Sequence, residues 1–168
     1  MIDIQTNFLE KEYHKILFNL IKSDDFAWFH SKTLKNSKAD DIQLCHSLYH
    51  SHNVASQYFD NFQPLFDKLK IKIFHRVKIN LTCKDTNNKL KGGYHHDLYW
   101  KDKPLEELKI AIYYFNTTNG KTLIKENNKI KEIDCVENTL VKFSNKLEHT
   151  GTTQTDVPFR YVLNINYI

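Results

Sequence analysis

The spacing of apolar residues changes once along the chain. From Phe8 to Ile21, Leu9, Tyr13, Ile16, Leu17, Leu20 and Ile21 recur every three or four positions, with Glu10, Lys11, Glu12, Lys15 and Asn19 opposite them. That spacing predicts an amphipathic helix. Ser23-Asp24-Asp25 ends it, and the aromatic run from Phe26 to Phe29 reads as a short strand. Thr33 to Asp41 is polar and reads as a loop; Ile42 to His50 reads as a strand or irregular cover. Asn53 to Leu69 then carries a second stripe, Val54, Tyr58, Phe62, Leu65, Phe66 and Leu69. It predicts a helix with Asn53 as a possible N-cap and Pro64 kinking or splitting it.

After Leu69 the period falls to two. Ile73, His75, Val77, Ile79 and Leu81 point one way; Phe74, Arg76, Lys78 and Asn80 point the other. Such alternation predicts a strand with unlike faces. Lys84 to Lys91 is polar, and Gly92-Gly93 permits a tight bend. Leu108 to Asn116 is β-branched and aromatic, and Asn119-Gly120 is a strong hairpin signal. Short strands are expected at Lys121 to Lys125, Lys129 to Cys135 and Thr139 to Phe143, with a final alternating strand from Arg160 to Ile168. Two helices followed by many short strands predict a sandwich or barrel with helices packed on one outer face.

The chain has 168 residues, so one domain is the expectation: residues 1–70 as helical support and 71–168 as the β core. A net charge of +4, with lysines scattered, does not by itself define a nucleic-acid partner. No apolar run is long enough for a membrane span, and the first ten residues lack the pattern of a signal peptide. Three widely spaced cysteines, Cys45, Cys83 and Cys135, argue against a disulfide framework. The expected location is the cytoplasm, where thiols stay reduced.

Two stretches carry the chemistry. Tyr94-His95-His96-Asp97 contains a His-x-Asp. On a strand, positions i and i+2 share a face, so His95 and Asp97 can chelate one ion while His96 points away. A third ligand must come from far along the chain, and His149 is the best candidate. Two imidazoles and one carboxylate with open positions form the ligand set of non-haem Fe(II) oxygenases. In the last strand Arg160, Val162, Asn164 and Asn166 share one face, and Tyr161, Leu163, Ile165 and Tyr167 the other. An arginine on an inward face makes sense if that face lines a wet pocket holding an anion, for which guanidinium offers a planar fork.

In order and spacing these segments resemble the 2-oxoglutarate/Fe(II)-dependent dioxygenases, and within them the prolyl 4-hydroxylase-like branch. The resemblance covers roughly Phe74 to Ile168. It rests on Tyr94-His95-His96-Asp97, Ala111-Ile112-Tyr113-Tyr114-Phe115-Asn116, Asn119-Gly120-Lys121-Thr122-Leu123, Leu140-Val141-Lys142-Phe143, His149-Thr150-Gly151 and Arg160 to Tyr167. It implies a mainly β double-stranded β-helix, a jelly roll of cupin-like form, with about two helices on the major sheet. His95, Asp97 and His149 would bind Fe(II). Arg160 and Tyr114 would hold the distal carboxylate of 2-oxoglutarate. Asn80 stands where many relatives place a tyrosine toward the iron-bound end of that cosubstrate. Arg76, Tyr94, Asn164 and Asn166 would line the substrate side. The implied reaction consumes 2-oxoglutarate and O2, with ascorbate as a supporting reductant, releases succinate and carbon dioxide, and hydroxylates a C–H bond.

By the same resemblance the first expectation for a substrate is a peptidyl residue such as proline. Alternatives are a nucleic acid, a free amino acid or small metabolite, or a metal-binding jelly roll that does no oxidation. The nucleic-acid alternative ranks lower, because the last strand lacks a further arginine motif. A second cluster, His46, His50 and His52, has the spacing H-x-x-x-H-x-H; surface or lip histidines are the simpler reading of it than a second metal site. Oligomeric state is not legible.

Overall fold

A computed structural model describes residues 1–32, 42–87 and 90–168. The expected loop from Thr33 to Asp41 lies outside these. In chain order the elements begin with β1 (Asp3–Gln5), α1 (Lys11–Ile21), β2 (Phe29–Lys32), β3 (Ile42–His50), β4 (Asn53–Val54), a 3-10 turn (Phe59–Phe62) and α2 (Gln63–Leu69). Then follow β5 (Phe74–Cys83), β6 (Leu90–His95), β7 (Tyr99–Trp100), β8 (Lys103–Pro104), β9 (Lys109–Tyr114) and β10 (Thr118–Glu126). The chain ends with β11 (Lys129–Cys135), β12 (Thr139–Ser144), β13 (His149–Thr152) and β14 (Phe159–Tyr167).

Two antiparallel sheets face each other. The larger runs β1-β12-β9-β14-β5-β3-β2, with β4 paired to β3; the smaller runs β11-β10-β13-β6. Successive strands of the region from β5 onward alternate between the sheets, apart from the small β7–β8 hairpin and the β10–β11 hairpin, both of whose strands lie in the smaller sheet. This is the double-stranded β-helix. Its larger sheet is sandwiched. The outer face of β5, β9 and β14 presents Val77, Ile79, Leu81, Tyr113, Leu163 and Ile165 to the helices, which return Leu17, Ile21, Leu65 and Phe66. Each such buried side chain contributes about 1.5–3 kcal/mol. The inner face meets the smaller sheet through Ile110, Ile112, Ile124, Val141 and Phe143.

Several expectations are corrected. The helix expected from Asn53 to Leu69 forms only from Gln63 to Leu69, with Pro64 in its first turn, where a missing N–H costs nothing. Asn53 is not a helix cap; with Val54 it closes a hairpin on β3 through Ser51 and His52, both at positive φ. The strand expected at Phe26 to Phe29 begins only at Phe29. Gly92-Gly93 lies within β6 rather than in a bend. Asn119-Gly120 lies inside β10 at a register shift, and the hairpin turn is Asn127-Asn128, both at positive φ. In β5 the alternation holds from Arg76 onward. Between Asn166 and Tyr167 the β14–β5 register slips, so Phe74, not His75, joins the aromatic core against Phe59 and Phe66.

Among the described residues no helix is long and apolar enough to cross a membrane.

Candidate metal and anion site

Between the sheets lies a cavity of about 200 Å³. One wall is a ladder set by the β14–β5 register, which pairs Arg160 with Thr82, Val162 with Asn80, Asn164 with Lys78 and Asn166 with Arg76. The unlike faces read from the sequence are thus two strands of one sheet turning their polar sides inward.

At one end stand His95, Asp97 and His149, each offering a ligand atom within 4.8 Å of the others. His95 closes β6 and His149 opens β13, and the two are register partners across the smaller sheet. Asp97 is not on the strand as expected; it lies just past the end of β6 and crosses toward the larger sheet. What aims it is Asn145, fully buried, whose side-chain oxygen accepts from the backbone N–H of Asp97 at 2.9 Å and whose amide donates to the Leu98 carbonyl at 2.8 Å. His96 turns away from the ligand cluster and its Nδ1 meets the Asn145 carbonyl at 2.7 Å, although its ring still borders the cavity.

Asp97 Oδ1 faces His95 Nε2 at 3.5 Å and His149 Nε2 at 4.0 Å. The same oxygen lies 3.0 Å from an Arg76 guanidinium nitrogen, while Oδ2 accepts from Asn166 at 2.7 Å. Burial would raise the pKa of this carboxyl, but the His95 hydrogen bond, the neighbouring His149 ring, the Arg76 charge and the Asn166 amide outweigh it, holding it far below the usual carboxylate range. His149 moves the other way: burial lowers it to about 4 against the opposing charge of Asp97. The cluster therefore presents an ionised carboxylate and a neutral buried imidazole at ordinary pH, the protonation states that ligation of a divalent ion requires. This donor set fits the open-faced Fe(II) site.

At the other end Arg160 is 5% exposed, and among the described residues no carboxylate pairs with it. Its Nε approaches the Cys135 sulfur at 3.4 Å and one terminal nitrogen approaches Thr122 Oγ1 at 3.3 Å. The guanidinium lies 5.6 Å from the centre of the Tyr114 ring, and the Tyr114 hydroxyl donates to Thr122 at 2.7 Å. Burial raises Tyr114 to about 12, opposed by Arg160, so it stays a neutral donor. A buried cation without a counter-charge costs several kcal/mol, which an anion bound in the cavity would offset.

Asn80 and Asn164 line the cavity, and Asn80 Oδ1 is buried without a partner. Tyr114, Tyr94 and Asn166 do not line it. Tyr94 lies under Lys125 at 4.3 Å, and Asn166 acts through Asp97. Lys78, which the sequence places on the Arg76 and Asn80 face of β5 as a candidate for the pocket mouth, does line it, and so do Thr82, Thr122 and Gln43, none of these three proposed from the sequence as contacts. The alternation of β5 was the signal for Lys78 and Thr82; nothing local marks Thr122 or Gln43. Of the second histidine cluster, His46 is held by the Ala27 carbonyl and Ser56 at 2.7 Å each, so its ring nitrogens serve packing.

A prolyl hydroxylase from Trichoplax adhaerens, in complex with a hypoxia inducible factor oxygen degradation domain peptide fragment, superposes with TM-score 0.73 at 14% identity, over 99% of this chain and 83% of that one. A Pseudomonas putida prolyl-4-hydroxylase gives 0.69 at 12%, over 99% and 91%. HygX from Streptomyces hygroscopicus, with nickel and 2-oxoglutarate bound, gives 0.66 at 8%, over 99% and 82%. No family model and no curated protein matches the sequence. At these identities the likeness establishes the fold, the jelly roll of the 2-oxoglutarate oxygenases.

Proposed function

We propose that this chain is an Fe(II)- and 2-oxoglutarate-dependent dioxygenase that hydroxylates a peptidyl residue such as proline, releasing succinate and carbon dioxide. The observation that carries the reading is the pairing, in one cavity, of a His–Asp–His cluster within 4.8 Å with an arginine that is buried and unmatched by any described carboxylate. The neighbours that share the fold include proteins described as prolyl hydroxylases and one with nickel and 2-oxoglutarate bound.

In this reading His95, Asp97 and His149 hold Fe(II), which when bound supplies the redox chemistry that couples cosubstrate decarboxylation to C–H hydroxylation. Everything else falls to the chain. Arg160 takes the distal carboxylate in its fork. Thr122, held by the Tyr114 hydroxyl, supplies the neighbouring polar group, so Tyr114 acts on the cosubstrate through Thr122. Val162 and Ile112 give the middle of the cavity an apolar wall. Asn80, its side-chain oxygen unpaired, faces the near end of the cosubstrate. Asn166 and Arg76 keep Asp97 ionised and oriented. Residues 1–168 act as one oxygenase unit, and the three free cysteines suit the reducing cytoplasm.

The test is anaerobic addition of Fe(II) and then 2-oxoglutarate. A weak visible charge-transfer band, followed by succinate on admitting oxygen, is expected. Absence of both overturns the reading. Asp97→Ala should abolish iron-dependent succinate release; retained turnover would remove Asp97 from the metal set.

A further inference from the structure

Three cations face the cavity from the larger sheet: Arg160, Arg76 and Lys78. Two have an evident counter-charge within the proposed reading. Arg160 meets the distal carboxylate of the cosubstrate, and Arg76 sits on Asp97 at 3.0 Å. Lys78 has none. It is partly buried at the middle of β5, paired in register with Asn164, and makes no hydrogen bond or ion pair among the described residues.

This placement has a cost that packing does not explain. Burial disfavours the Lys78 ammonium, the Arg76 charge adds to that, and Asp97 only partly opposes them, so its pKa is lowered. A structural lysine at this depth would be expected to reach water or a carboxylate. Around it the cavity is furnished to receive something polar. Arg76 Nε and Asn80 Oδ1, on the residues two before and two after Lys78 in β5, are buried without partners. Along the ladder Lys78 stands two positions from Asn166, which binds Asp97, and four from Thr82, which pairs with Arg160. It is therefore nearer the metal end than the anion end. With metal and cosubstrate in place, the two cosubstrate carboxylates offset Arg160 and part of the metal charge, and Asp97 offsets Arg76. Lys78 and residual metal charge remain.

Resting on the oxygenase reading, we infer that Lys78 is a substrate-recognition residue: the molecule to be hydroxylated carries a carboxylate close to the reacting carbon, and Lys78 receives that group. On a peptide this is an acidic side chain or the C-terminus; on a free amino acid it is the molecule's own carboxylate. The same cation would disfavour a substrate that is neutral around its reacting carbon.

The experiment uses the full chain labelled with 13C at lysine Cε, loaded with Zn(II) and 2-oxoglutarate, with the Lys78 signal assigned from Lys78→Arg. Acetate is titrated against acetamide, its neutral near-isostere. Saturable movement of the Lys78 signal by acetate alone is expected. No movement, or equal movement by both, overturns the inference. Lys78→Met should abolish acetate binding while moving the 2-oxoglutarate Kd less than threefold. A tenfold weaker Kd would assign Lys78 to the cosubstrate and overturn it instead. Displacement of acetate by pooled free L-amino acids points to an amino-acid substrate, and by acetylated, amidated Asp and Glu dipeptides to an acidic peptide. Displacement by neither shows an adventitious anion site and overturns the inference. Failure of Zn(II) and 2-oxoglutarate to bind in the same samples would instead strike the oxygenase reading, and the acetate titration can still be read without them.

Discussion

Gly120 shows how closely the anion end is built. A Cβ there would lie 3.2 Å from Arg160 Cδ and 3.2 Å from each of two backbone carbonyls, of Thr152 and Thr153. The arginine stem can yield a few tenths of an ångström; the two carbonyls belong to the neighbouring chain segment and yield less. Gly120→Ala should therefore displace the Arg160 fork while leaving the metal cluster at the other end untouched. The expected result is a 2-oxoglutarate Kd raised several-fold with metal affinity unchanged, read by calorimetry on both ligands. Arg160→Ala is the stronger form of the same change. Loss of one charge-assisted hydrogen bond at about 1.5–3 kcal/mol should raise the 2-oxoglutarate requirement by about one to two orders of magnitude, and loss of both fork bonds by more. If metal binding fell equally, Arg160 would be holding the fold and not a ligand.

At the scale of elements, the segment after β6 depends on one side chain from another part of the chain. Asn145 follows β12, yet its amide spans the Asp97 and Leu98 backbone on one side and the Leu98 and Leu105 carbonyls on the other. Removing it leaves backbone groups unpaired in a buried place. Asn145→Ala should cost on the order of 2–3 kcal/mol of stability and should weaken metal binding through a misdirected Asp97. Urea unfolding and metal titration of the same variant check both; a stable variant with full metal affinity would show that Asp97 aims itself.

The same segment marks where sequence reading stopped. His95 and Asp97 came together as expected, but the reason assumed, one face of one strand, holds only for His95. Asp97 leaves the strand and is directed by a residue 48 positions away. The inward face of β14 was legible because strict alternation has one physical meaning when the opposite face is Tyr161, Leu163, Ile165 and Tyr167. Gly120 was misread for the converse reason. Asn-Gly suits a two-residue turn, but a glycine is also required where another side chain passes close over the backbone, and only the Arg160 stem reveals which applies. Thr122 reads as an ordinary strand residue until the opposite sheet brings Arg160 to it.

Over the whole molecule, the helical layer is fastened to the jelly roll by a buried polar link as well as by apolar packing. His14 on α1 approaches the Tyr113 hydroxyl on β9 at 2.6 Å, and Tyr113 donates to Asn138 at 2.9 Å. Asn138 in turn accepts from the Leu9 N–H at 2.9 Å and donates to the Leu9 carbonyl at 2.8 Å just before the helix. If Tyr113 donates to Asn138, His14 must be the donor in the first bond, which a neutral ring supplies through Nδ1–H. Burial lowers the His14 pKa from 6.5, with Glu137 opposing. A group held below its unfolded value contributes its full stability above that value and loses it as pH falls, because the unfolded chain then binds the proton the folded one resists. Stability should thus decline as pH drops below about 6.5, and part of the decline should belong to this link. His149 and His75 are lowered in the same direction, so the total slope does not isolate His14. The difference from His14→Phe does. Urea midpoints measured for both proteins between pH 7.5 and about 5, under identical metal conditions, should converge as the pH falls. Parallel declines would mean that His14 is not protonated on unfolding in that range and that the link between the layers is insensitive to acid.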